Sequence, residues 1–306
     1  MRVIILGSGA GGGIPQWNSA SPACVLARAG AIPSRSQAAL AVSADGERWV
    51  LVNAAPELRH QLAAIPALHP RPGQIRNSPI AAVVLTGGEI DTIAGLLTLR
   101  ERHAFALYAA PPVLGVFADN QVFAALDPAL VPRRALHPGA PFDLTDAAGA
   151  PLGLRAEAFA VPGKIPLFAE RDGADPGRAE DGETVGLAIS APGAGTLVYI
   201  PGCAAVDAAL RDRIASAAAL MFDGTLYRDD EMILAGAGPK TGARMGHMSL
   251  DGPAGTLAAL RDCAPARRIL IHINNTNPIL LPDSAERRHV EAEGWVVAED
   301  GMEFLL

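Results

Sequence analysis

Short apolar runs of strand length recur along this chain, and several of them stop at a loop that carries Asp, His or Asn. In the first half they cover residues 2–6, 37–42, 49–52, 80–85 and 105–108. In the second half they cover residues 154–161, 186–190, 197–200, 219–222, 268–273 and 295–298. Runs this short, bounded by Gly, Pro and Asp, read as strands. Helical patterns fall between several of them. Pro56 stands at a first helical position, and the residues to Leu62 repeat their apolar members at helical spacing. Residues 91–102 place Ile93, Leu96, Leu97 and Leu99 on one broad apolar face behind an acidic first turn. Two such strand-and-helix halves predict an α/β fold with two sheets face to face, helices outside, and a site at the sandwich edge. A doubly wound sheet gives a similar pattern.

No linker separates the halves, so one domain over residues 1–306 is expected. With 50% hydrophobic and 19% charged residues the chain can build a large core. A net charge of −7 without any Lys/Arg run excludes the electrostatic footprint of nucleic-acid or anionic-membrane binding. The opening run is too short for an export signal, and no stretch is long and apolar enough to span a membrane. A soluble, cytoplasmic protein is expected, with a small or peptidic partner; a homodimer stays open. Cys24, Cys203 and Cys263 are too few and too scattered for a disulfide framework.

The glycine run 6–13 after the first strand is a weak nucleotide signal. A pyrophosphate loop should lead into a helix, and Ile14-Pro15-Gln16-Trp17-Asn18 breaks helicity. Close backbone approach to a site is the better reading. Four further clusters end apolar runs or sit in glycine-bearing loops: Thr86 to Asp91, Phe222-Asp223-Gly224-Thr225, Met245-Gly246-His247-Met248, and His272 to Pro278. Taken together, Asp91, Asp223, His247 and His272 offer carboxylates and imidazoles that can hold a divalent metal. Two imidazoles and a carboxylate suit Fe(II) oxygen chemistry, whereas zinc hydrolases use richer His ligation. Asn275, Thr276 and Asn277 could be turn formers or could bind a polar substrate, and the second reading is preferred. Lys164, in a turn, could meet a substrate carboxylate or be plain surface. Cys203 reads as a buried structural thiol. His60, His69, His103, His137 and His289 read as ordinary surface residues, and residues 169–182 as a loop or flap.

The strings Gly11-Gly12-Gly13-Ile14-Pro15-Gln16-Trp17-Asn18, Ile90-Asp91 with Ala94-Gly95-Leu96-Leu97, Phe222-Asp223-Gly224-Thr225, Met245-Gly246-His247 and His272 to Pro278 resemble the PqqB family of metallo-β-lactamase-fold proteins. The likeness runs from end to end. It implies a four-layer αββα sandwich, a cytoplasmic location and a step in making pyrroloquinoline quinone (PQQ). The activity it implies is iron- and oxygen-dependent hydroxylation of the tyrosine ring in a Glu-Tyr unit cut from a precursor peptide. An older family description is a carrier of PQQ, or of its precursor, towards the periplasm. Asp91 and His272 fall on the family's metal positions, with His247 and Asp223 as ligands or proton-transfer groups, and Asn275, Thr276 and Asn277 about the substrate.

Two departures matter. Relatives place three cysteines after the Trp-Asn pair for a structural zinc, but Ser19 and Ser21 occupy two of those places and only Cys24 remains. Ser hydroxyls are poor ligands beside thiolates, which disfavours zinc there. Many relatives follow the motif aspartate with His, and this chain has Thr92. An iron oxygenase is therefore the first reading and a non-catalytic carrier the second. A zinc hydrolase is last, for want of a His-x-His-x-Asp-His string.

Overall fold

The computed structural model of the chain describes residues 1–163, 183–263 and 265–306. Lys164 and the loop 169–182 lie outside the described residues. The strands are β1 (Arg2–Gly7), β2 (Ala39–Ser43), β3 (Trp49–Val52), β4 (Ile80–Val84), β5 (Ala106–Ala109), β6 (Arg133–Ala135), β7 (Phe142–Thr145), β8 (Pro151–Ala160), β9 (Val185–Ser190), β10 (Leu197–Ile200), β11 (Ala219–Asp223), β12 (Arg267–Ile271), β13 (Val296–Val297) and β14 (Glu303–Leu305). Among the described residues they form two seven-stranded sheets, ordered β14-β1-β2-β3-β4-β5-β6 and β13-β12-β11-β10-β9-β8-β7. Each sheet joins an antiparallel part to a parallel part. The first turns parallel from β3 to β6, and the second from β10 to β13.

The period of two along each strand builds the layers. Val3 and Ile5, Val50 and Val52, Tyr199, Met221 and Ile271 face the other sheet in one central core. Ile4 and Leu6, Leu51, Val83 and Leu107 face outward into a second core beneath α2 (Leu58–Ala64) and α4 (Pro111–Asp119). On the far side, Val198, Ile200, Leu220 and Phe222 pack with Leu210 and Ile214 of α5 (Ala208–Ala215) and Val290 of α8 (Ala285–Ala292). Strands covered on both faces read as unbroken apolar runs, which is why Leu-Val-Tyr-Ile at 197–200 shows no alternation. Each such side chain contributes about 1.5–3 kcal/mol on burial. The result is a four-layer αββα sandwich, as expected.

Several elements differ from the sequence reading, beginning with Pro56, which lies two residues before the helix Leu58–Ala64 instead of at its first position. The helix expected over 91–102 is a short helix, Ile90–Ile93, followed by a 3-10 stretch, Ala94–Leu99. Gly95 is the cause: its amide donates to the Ala54 carbonyl at 2.8 Å, and a Cβ there would sit 2.0 Å from the Ala55 carbonyl oxygen. The backbone is drawn against a neighbouring loop and leaves the α-helical path. Strand β2 begins at Ala39 rather than Gln37, because the Gln37 side chain turns to bind Gly12 and Glu57.

The sheets are stitched together at one edge. Gly9 bridges to Ile273, with Ala10 N–H on the Ile273 carbonyl at 2.8 Å and Ile273 N–H on the Ser8 carbonyl at 3.0 Å. Gly87 bridges to Thr184 in the antiparallel sense, with Val185 N–H on the Thr86 carbonyl at 2.8 Å. Loops leaving β1, β4, β10, β11 and β12 therefore meet at this edge.

Candidate metal centre

Asp223 ends β11 and is completely buried. Its Oδ2 accepts the Cys203 N–H at 2.8 Å and bonds His247 Nδ1 at 2.7 Å. Its Oδ1 accepts both the N–H and the hydroxyl of Thr225, at 3.0 and 2.6 Å. Both oxygens are thus fully used. The Thr225 hydroxyl in turn lies 2.8 Å from His272 Nδ1 and 3.1 Å from His247 Nδ1. A hydroxyl that donates its one proton to Asp223 receives N–H groups from its other neighbours. With the hydroxyl proton on Asp223 Oδ1 at 2.6 Å rather than on the His272 carbonyl at 3.0 Å, both imidazoles carry a proton on Nδ1, and His272 Nε2 is left toward Asp91. The rings stack with centroids 5.2 Å apart.

His272 follows β12 directly and adopts φ +58°, a left-handed conformation that non-glycine residues seldom take. Its Nε2 lies 3.1 Å from Asp91 Oδ2. Burial resists ionisation of Asp91, yet the hydrogen bond and charge of His272, with His247, outweigh it and hold the carboxyl below the usual range. Burial likewise opposes the charge on His272, and Asp91 and then Asp223 raise it above the ordinary histidine value. Asp223, equally desolvated, is held low by His247 and His272. A proton between Asp91 and His272 sits where a cation would.

Ligand atoms of Asp223, His247 and His272 lie within 4.8 Å of one another. Both Asp223 oxygens already accept two hydrogen bonds each, whereas Asp91, whose Oδ2 meets His272 Nε2, is the carboxylate on the cavity wall. Asp223, expected as a catalytic group, is off the cavity wall, with its Oδ2 2.7 Å from His247 Nδ1.

The cavity in front measures about 810 Å³. The glycine loop forms part of its wall by close approach: Gly12 has φ +92°, and a Cβ on Gly11 would come within 3.7 Å of Asp91 Oδ2. Ile90, Ile93, Val116, Met232 and Met245 supply apolar wall, and Gln16, Asn53, Thr86 and Asn274 polar groups.

The expected substrate residues Asn275, Thr276 and Asn277 are off this wall. Asn275 bonds Gln16 and Ser19, Thr276 donates to Glu231, and Asn277 caps the following turn and donates to the Gly224 carbonyl. Their amides and hydroxyl brace the His272 loop from behind, a correction to the substrate reading. Thr225, Asn274 and Lys240 were missed. Thr225 stood in a quoted string two residues from Asp223, which was a usable signal; Lys240 had none. His60, His69 and His137 are exposed, His103 and His289 half-buried, and none of the five reaches the cavity. Cys203 is buried, its thiol pushed up to about 12 by desolvation and then by Asp223, which makes it inert.

A beta-lactamase superfamily domain matches residues 48–273. Coenzyme PQQ synthesis protein B of Gluconacetobacter diazotrophicus is 54% identical over 303 residues, 98% of each chain. The chain belongs to the PqqB family. That membership assigns it to PQQ biosynthesis and to the metallo-β-lactamase fold. The crystal structure of Zn(2+)-bound PqqB from Methylobacterium extorquens is 49% identical, covers 100% of both chains and superposes with a TM-score of 0.94. A diphosphatase of the PhnP family, 20% identical with a TM-score of 0.67, shares the fold alone.

This PqqB-family chain lacks the donors for a thiolate zinc site near Cys24. Ser19 and Ser21 hydroxyls are bound to Asn275, and the Cys24 thiol accepts the Gln16 N–H at 3.3 Å. The three cysteines are free and buried. Thr92 lines the cavity beside Asp91. No helix among the described residues is long and apolar enough to cross a membrane.

Proposed function

We propose that this PqqB-family chain is a non-haem iron hydroxylase that adds oxygen to the tyrosine ring of a Glu-Tyr unit derived from the precursor peptide. In this reading Asp91, His247 and His272 are the ligands, and what supports it is that Asp223 and Thr225 engage both Nδ1 atoms while His272 Nε2 lies 3.1 Å from Asp91 Oδ2. Two imidazoles and one carboxylate leave coordination positions open for oxygen and substrate, the arrangement associated with non-haem Fe(II). When bound there, iron supplies the activation of dioxygen that no side chain can.

The protein's own groups hold and orient. An imidazole bonded through Nδ1 to Asp223 and engaged through Nε2 has no proton to give, so His247 is a ligand in this reading rather than an acid–base group. The apolar wall of Ile90, Ile93, Val116 and Met232 suits a phenol ring, and Asn274 and Gln16 can orient peptide groups. A cavity of about 810 Å³ has room for a dipeptide.

Thr92 supports a second reading. A hydroxyl in place of an imidazole weakens the metal set, as a carrier of PQQ or its precursor would tolerate. Anaerobic Fe(II) titration, followed by oxygen and Glu-Tyr with mass analysis, separates the two. Gain of one oxygen atom supports the hydroxylase. Tight PQQ binding with no mass change supports the carrier.

A further inference from the structure

Among the described residues, the cavity wall carries the acidic residues Glu89 and Asp91, the histidines His247 and His272, and one lysine, Lys240. No described guanidinium reaches the wall. Lys240 is half-buried and has no ion pair or hydrogen bond with any described residue. Among the described residues Arg35 meets Glu299 and Arg213 meets Glu157, while the half-buried Arg133 and Arg134 are met by carbonyl or hydroxyl oxygens. A lysine on a cavity wall without a counter-charge favours an anion beside it.

The turn that follows it is held. Gly242 N–H donates to the Asp229 carbonyl at 2.8 Å, Ala243 N–H to Asp229 Oδ1 at 2.7 Å, and His247 N–H to the Gly242 carbonyl at 3.0 Å. The turn that follows Lys240 is therefore the one that delivers His247 to the centre. A Cβ on Gly242 would stand 2.9 Å from Leu226 Cδ1, so the turn is packed tightly as well.

We propose that Lys240 is a binding residue for a carboxylate of the ligand, and that the cavity takes small aromatic carboxylates with the ring on the Ile90, Val116 and Met232 wall. This rests on the reading of the cavity as the substrate site, and it adds the group that selects an acid over its neutral analogue. Such a charged contact is worth roughly tenfold in affinity.

Calorimetric titration of the anaerobic Fe(II)-loaded protein tests it with two acids, Glu-Tyr and 4-hydroxyphenylacetate, each against its carboxamide. The wild type is expected to prefer both acids. K240M is expected to lose roughly tenfold in affinity for the acids and nothing for the amides, and K240R to keep the preference. An undiminished preference in K240M overturns the proposal, as does failure of the wild type to bind either acid. If Glu-Tyr gains no oxygen while K240M still weakens 4-hydroxyphenylacetate, the anion site stands and the hydroxylase reading falls.

Discussion

The Thr225 hydroxyl lies 2.6 Å from Asp223 Oδ1, and this contact, behind the cavity wall, sets the tautomer of both histidines at the candidate centre. Two residues on one strand end thereby decide which nitrogen atoms are offered to an ion.

Thr225→Val keeps the shape and removes the hydroxyl. Both Nδ1 groups then lose a partner, and outer-shell losses of this kind reduce metal affinity about 10–100-fold. Anaerobic titration with Fe(II) or Zn(II) measures it, alongside circular dichroism to verify folding. Affinity within twofold of wild type, on a folded variant, would remove Thr225 from the account.

Protons and metal compete at His272. In the metal-free protein its imidazolium contributes stability that is full below pH about 6.5 and is lost as pH rises through the raised folded value. Asp91 contributes above pH about 3.9, and loses that contribution as pH falls through its lowered folded value. Metal-free stability is therefore greatest between those limits, and Asp91→Asn flattens both sides. Urea unfolding across pH is the check; an unchanged profile in the variant contradicts the pairing. Metal affinity should rise with pH through the His272 transition, with about one proton released per ion.

Asn277→Ala leaves the Gly224 carbonyl and the Ile279 N–H, both buried, without their partner. A loss of about 1–3 kcal/mol in denaturant unfolding is expected, with Glu-Tyr affinity of the folded variant unchanged. A weakened Kd with unaltered stability would restore Asn277 to the substrate.

Much of this was legible in the sequence. Doubly covered strands such as Leu197–Ile200 announce themselves as continuous apolar runs, and Asp91, His247 and His272 stood out as metal-capable groups at loop and strand ends. The edge strands β6 and β14 did not, because three residues are too few to establish a period. Gly95 overrode the helical pattern of 91–102 through a contact with Ala54 and Ala55 that only the fold brings about. Asn275, Thr276 and Asn277 were misjudged for a related reason: dense amides serve substrates or backbone equally well, and the loops they brace come from residues 16–19 and 224–231. Lys240 has nothing in its neighbourhood to distinguish it from a surface lysine until the turn packs against His247.

The most direct measurement is a crystal structure of the Fe(II)-loaded protein with the ion located by its anomalous scattering. The account predicts one ion about 2.0–2.2 Å from His247 Nε2, His272 Nε2 and an Asp91 oxygen, with Asp223 still bonded to His247 Nδ1. An ion held by Asp223, or bound through either Nδ1, would contradict it.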